Sequence, residues 1–126
     1  MKPVHVAWFE IPTSDLDRAI TFYQTVFDCK LEKLDMGEFK MAMFPSDQKS
    51  HGAGGSLVYH KDFYECSSSA GTLVYFHSED CDTELARVAK AGGSVQIPKQ
   101  QISPEYGYMA VFMDSEGNRI ALHSNK

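Results

Sequence analysis

The sequence predicts an α+β fold: two repeated βαβββ modules that together make an incomplete eight-stranded barrel around a cleft. Three observations predict it. Strand, helix and three strands follow one another twice along the 126 residues. The two helix starts, Asp15-Leu16-Asp17 and Asp80-Cys81-Asp82, lie 65 residues apart (15 to 80). That one offset also lays Trp8 on Leu73, Glu10 on Tyr75, Ser56 on Ala121 and Val58 on His123 without a gap, the mark of an internal duplication. Each half alone is too small for a good core, so each packs its helix on its own sheet and the two sheets curve round a shared cleft. The expected organisation is one domain over residues 1–126, with module one at 1–60, a linker at 61–71 and module two at 72–126.

Residues 4–11 alternate in period two, with His5, Ala7, Phe9 and Ile11 on one face and Val6, Trp8 and Glu10 on the other. Pro12-Thr13 stops this strand. Ser14-x-x-Asp17 is a capping-box-like start, and Asp15 and Asp17 suit the positive end of a helix. Leu16, Ala19, Ile20, Tyr23, Val26 and Phe27 then recur at helical spacing, which predicts an amphipathic helix over residues 15–27. Strands follow at 30–35 and 39–44, a polar Gly-rich loop at 45–55 and a fourth strand at 56–60. After the Ser-rich linker, residues 72–77 form a strand with Leu73, Tyr75 and His77 on one face and Val74 and Phe76 on the other. A helix at 80–91 turns Cys81, Leu85, Val88 and Ala89 inward and ends at Gly92-Gly93. The last strands are 94–97, 106–113 and 119–124. In the final one, Ile120 and Leu122 face one way and Arg119, Ala121 and His123 the other.

Twelve Lys and Arg against seventeen Asp and Glu leave a net charge of -5. With no basic cluster, this argues against a nucleic-acid partner. No apolar run approaches the ~20 residues of a membrane helix, and the amino terminus lacks a signal-peptide apolar region. Three cysteines, Cys29, Cys66 and Cys81, are odd in number and lack metal-ligand spacing, which points to free thiols in a reducing cytoplasm. Gly52-Ala53-Gly54-Gly55 precedes a strand, so it lacks the helix that a phosphate-binding loop requires.

The stretch Phe112 to Ser124, Phe-Met-Asp-Ser-Glu-Gly-Asn-Arg-Ile-Ala-Leu-His-Ser, resembles the last hairpin of the vicinal-oxygen-chelate superfamily (glyoxalase, bleomycin-resistance and extradiol-dioxygenase relatives). Metal-using members carry a pattern there like Asp-Pro-Asp-Gly-Asn-x-Ile-Glu-Leu, and its Glu binds the metal. Here the Glu position is Ala121. The resemblance covers nearly the whole chain, and it implies four ligands, typically His or Gln, Glu, His and Glu, on the first and fourth strand of each module. Carried across, those positions are Trp8, Ser56 (or Val58), Leu73 and Ala121. A divalent cation needs nitrogen or oxygen donors; Trp, Leu and Ala offer none and Ser is a poor one. The expectation is a cleft with neither metal nor cofactor.

What remains reads as a binding site. Trp8, Ser56, Leu73, Tyr75, Ala121 and His123 are the candidate ligand-binding residues. Met109, Val111 and Met113 either extend the apolar pocket or fill the barrel, and Tyr106 and Tyr108 border its mouth. Glu10, set among Trp8, Phe9 and Tyr75, is a candidate general acid or base, or else a structural carboxylate paired with Arg119 or His123. The resemblance to the bleomycin-resistance branch implies binding of a small organic molecule without chemistry. The alternative is a lyase- or isomerase-type enzyme resembling lactoylglutathione lyase. It would work through Glu10 as base, or through a displaced metal at Glu10, His123 and one further His. The resemblance also implies a homodimer, in some relatives with cleft residues from both subunits.

Overall fold

The computed structural model describes residues 2–47 and 52–126. Module one runs β1 (Trp8–Pro12), α1 (Leu16–Phe27), β2 (Glu32–Met36), β3 (Phe39–Met43) and β4 (Gly54–Tyr59). Module two repeats the order with β5 (Tyr75–His77), α2 (Cys81–Ala91), β6 (Ser94–Ser103), β7 (Gly107–Met113) and β8 (Arg119–Ser124). Each module is one four-stranded sheet, ordered β1-β4-β3-β2 and β5-β8-β7-β6. The first and fourth strands pair in parallel, as a crossover through a helix permits, and the other pairs are antiparallel. Among the described residues no strand pair joins the two sheets, so the barrel stays open.

The duplication holds at atomic register. Glu10 pairs with Ser56 as Tyr75 pairs with Ala121, and Pro12 with Val58 as His77 with His123. The Thr13 amide donates to the Val58 carbonyl at 2.8 Å, and the Ser78 amide to the His123 carbonyl at 2.8 Å. All of these are related by the same offset.

Both helices are capped by an aspartate. The Asp15 carboxylate accepts from the Arg18 amide and that of Asp80 from the Asp82 amide. The cap of α1 is therefore Asp15 rather than Ser14, whose amide and hydroxyl donate instead to Glu116 at 2.9 and 3.0 Å. Helix α1 buries Leu16, Ala19, Phe22, Tyr23 and Val26, while Ile20 and Phe27 are half-buried. Helix α2 buries Cys81 and Val88; Leu85 is half-buried and Ala89 faces solvent, outside the expected inner face. Gly92, at φ 105, ends α2 in the left-handed region that favours glycine. Ile11, Ala42 and Leu57 from sheet one and Ala110, Phe112, Ile120 and Leu122 from sheet two complete a core shared with both helices.

Several strand bounds depart from the sequence pattern. β1 begins at Trp8 rather than Val4 because its partner β4 begins opposite at Gly54. Val4 and Val6 are left 96% and 70% exposed. β5 begins at Tyr75, not residue 72. β6 continues past residue 97 to Ser103 as an edge strand, with register shifts on either side of Ile97 next to Pro98. Of the expected loop at 45–55, residues 48–51 lie outside the described residues, and Gly54 and Gly55 belong to β4. Among the described residues no helix is long and apolar enough to cross a membrane.

Candidate functional site

β1 and β5 are both edge strands, so each has one free side. A cavity of about 1100 Å³ is lined by both strands, by the stretch before β5, by the β3–β4 loop and by the linker. Because the cavity runs along strand edges, it meets residues from both faces of each sheet. Phe9, Phe27, Phe44 and Phe76 form a half-buried aromatic floor. Phe76 stands 5.5 Å from Phe9, 4.7 Å from Phe27 and 5.4 Å from Phe44 between ring centroids. Trp8 and Tyr75, 45% and 51% exposed, stand at the rim with Glu10.

Two glycines make room for the aromatic side chains. A Cβ at Gly54 would sit 3.3 Å from Trp8 Cζ3, and one at Gly55 would overlap the Phe9 ring. Glycine inside a strand marks a close approach, and here a ring lies against each of the two positions. The Gly-Gly pair that reads as loop in the sequence is thus the seat of Trp8 and Phe9.

The cavity brings together Trp8, Glu10, Leu73 and Tyr75. Ser56, Ala121 and His123 are not among its lining residues, and neither are Met109, Val111 and Met113. β4 and β8 lie one strand in from the edges, which sets Ser56 and Ala121, both fully buried, behind Glu10 and Tyr75. The Ser56 hydroxyl has no hydrogen-bond partner among the described residues. His123 Nε2 lies 2.6 Å from the Tyr106 carbonyl. His60 is buried between Phe39 and Phe63, with ring centroids at 4.5 and 4.6 Å, and its Nδ1 accepts from the Asp62 amide.

Glu10 pairs with neither Arg119 nor His123. Its Oε1 accepts a hydrogen bond from the Tyr64 hydroxyl, out of the linker. That bond, with burial and the charge of Glu10 behind it, raises the Tyr64 pKa, so the phenol stays a donor. The rest of the linker is tied down beside it. Cys66 Sγ donates to the Pro12 carbonyl at 3.4 Å, and the Ser67 amide to Asn118 Oδ1 at 3.1 Å. Asn118 Nδ2 in turn donates to the Pro12 carbonyl at 2.8 Å. Sequence reading treats 61–71 as a connection and misses Tyr64 and Glu65; the one signal available is an Asp-Phe-Tyr-Glu-Cys run too aromatic for a plain linker. Arg119 donates to the Gly71 carbonyl at 3.3 Å, and its buried Nε has no partner among the described residues. Burial, with Asp114 and Glu116 nearby, raises the Cys66 pKa, which opposes thiolate formation.

The metal that the resemblance implies does not fit here. Its four carried-over positions hold an indole, a hydroxyl, an isobutyl group and a methyl, a set with one weak oxygen donor. Among the described residues no group of three or more His, Cys, Asp or Glu side chains is placed to hold a metal ion, at Glu10 and His123 or elsewhere.

Residues 5–45 match the family described as bleomycin resistance protein-like N-terminal. The chain is 29% identical over 125 residues to the anthracycline biosynthesis protein DnrV of Streptomyces peucetius, covering 92% of this chain and 45% of that protein. It thus spans about half the length of the curated relatives it matches. Among solved structures, it is similar to an antibiotic binding protein, TnmS3 from Streptomyces sp. CB03234, with a TM-score of 0.65 and 25% identity over 100% of this chain and 99% of that one. Glyoxalase I from Zea mays aligns with a TM-score of 0.70 and 20% identity over 94% of this chain and 45% of that one.

Proposed function

We propose that this chain, a member of the vicinal-oxygen-chelate superfamily, binds a planar, polycyclic aromatic small molecule between β1 and β5 without altering it. The observation that carries the reading is the aromatic lining: four Phe rings below, Trp8 and Tyr75 at the rim. Flat rings offer large contact area at low entropic cost to an equally flat ligand. Three relatives support the class. One similar structure is of an antibiotic binding protein, and the curated relatives are named for anthracycline biosynthesis. Burying about 300 Å² of such a ligand is worth about 7 kcal/mol at ~25 cal/mol per Å², before the costs of association.

Trp8 is the one tryptophan in the chain, so its fluorescence reports on the cleft directly. Titration with an anthraquinone should quench it to saturation, and Trp8→Ala should weaken binding measured by calorimetry about ten-fold. Unchanged affinity in Trp8→Ala would remove Trp8 from the site.

Glu10 supports a second reading, since a carboxylate at the rim with a hydroxyl donor can move a proton in a lyase- or isomerase-type reaction. In that case a hemithioacetal offered as substrate is converted, and Glu10→Gln abolishes conversion while leaving the circular-dichroism melt unchanged. Normal turnover by Glu10→Gln would end that reading.

We also propose a homodimer in a reducing cytoplasm. Leu34, Met36, Phe39, Val95, Ile102 and Tyr106 support the dimer, being large apolar side chains exposed on the sheets and their borders. Three unpaired thiols support the compartment.

A further inference from the structure

We propose that the cleft selects ligands bearing a protonated amine, and that Glu10 receives it in a subsite shaped by Tyr64; this rests on the reading of the cleft as an aromatic-ligand site. Three observations lead there. First, among the described residues the Glu10 carboxylate forms no ion pair: its partner there is the Tyr64 hydroxyl, a neutral donor that orients Oε1 without cancelling its charge. Second, among the described lining residues the carboxylates of Glu10 and Glu65 stand against the single guanidinium of Arg119, with His77 as an imidazole. Arg119 is directed to the Gly71 carbonyl rather than to Glu10. The field in the cleft therefore favours a cation. Third, Trp8 and Tyr75 line the same cavity as Glu10 and are about half exposed, and aromatic rings attract an ammonium group. A ligand with a flat ring system and a short aminoalkyl arm would lay its rings over the Phe floor. Its ammonium would meet Glu10, displacing or sharing the Tyr64 hydroxyl.

The test is a pair of probes with the same ring system and arm, an aminoalkyl anthraquinone and its N-acetylated, uncharged counterpart, each titrated into the full chain by Trp8 quenching and calorimetry. The wild type should bind the amine about five-fold more tightly at low salt, as befits an exposed charge pair. That preference should shrink as salt is added and vanish in Glu10→Gln. Glu10 is exposed, so the variant should fold, and its circular-dichroism melt verifies this. Equal affinity for both probes in the wild type, or a preference that survives Glu10→Gln, overturns the proposal while leaving the aromatic-ligand reading intact. Binding of neither probe overturns that reading and this inference with it.

Discussion

Glu116 is the residue on which the two modules are pinned. From the β7–β8 turn its Oε1 accepts from the Ser14 and Asp15 amides at 2.9 and 2.8 Å, at the amino end of α1. Its Oε2 lies 2.7 Å from Arg18 Nε. Burial opposes its ionisation, but the Arg18 guanidinium, the Asp15 amide and the Ser115 and Ser14 hydroxyls outweigh it and lower its pKa from 4.5 to about 2. A carboxylate depressed in the folded state stabilises fully above its unfolded pKa and loses that contribution as pH falls through the folded one. Glu116→Gln should therefore cost about 3 kcal/mol by urea denaturation at neutral pH, with the gap to wild type closing between about pH 4.5 and 2. A gap that stays constant to pH 2 would contradict the clamp. Beside it, the buried Tyr23 hydroxyl donates to Asp114 Oδ2 at 2.6 Å. Tyr23→Phe should cost about 1–3 kcal/mol, because Asp114, already raised by burial, would lose a donor. None of this is legible in the sequence. Asp114-Ser115-Glu116-Gly117-Asn118 reads there as turn chemistry, and the partners of Glu116 stand about a hundred residues upstream.

At the scale of elements the sequence is a better guide. Period-two alternation, helical spacing and the stops at Pro12 and Gly92 place both helices and the order of all eight strands. What alternation cannot say is where a partner strand stops. Val4 and Val6 carry a strand pattern yet lie outside β1, whereas Gly54 and Gly55 look like loop yet pair with Trp8 and Phe9. The cleft floor depends on that pairing. Gly55→Ala would drive a methyl into the Phe9 ring, which neighbours Phe44 and Phe76 hold in place. The expected result is a loss of about 1–3 kcal/mol in stability together with weaker anthraquinone binding. Full binding by Gly55→Ala would mean that the Phe9 seat is immaterial.

At the scale of the whole molecule, one offset carries the architecture and the edges of the two sheets make the cleft. Trp8, Glu10 and Tyr75, on edge strands, and Leu73, just before β5, are legible as cleft residues because they fall at equivalent positions of a repeat. Ser56, Ala121 and His123 share their faces but sit on strands further in, and a face is all that period two reports. Tyr64 comes from a connection that carries no repeat at all. The exposed apolar side chains predict association. Light scattering at micromolar concentration should give twice the 14.1 kDa chain mass, and a monomer mass would remove the dimer.

The cleft is proposed to bind an aromatic ligand and leave it unchanged. Equilibrium titration of Trp8 fluorescence with the aminoalkyl anthraquinone, followed by mass spectrometry of the recovered ligand, tests it most directly. Saturable quenching with one ligand per chain and full recovery of unmodified anthraquinone is the predicted result. Absence of saturable quenching, or a ligand recovered with altered mass, would contradict it.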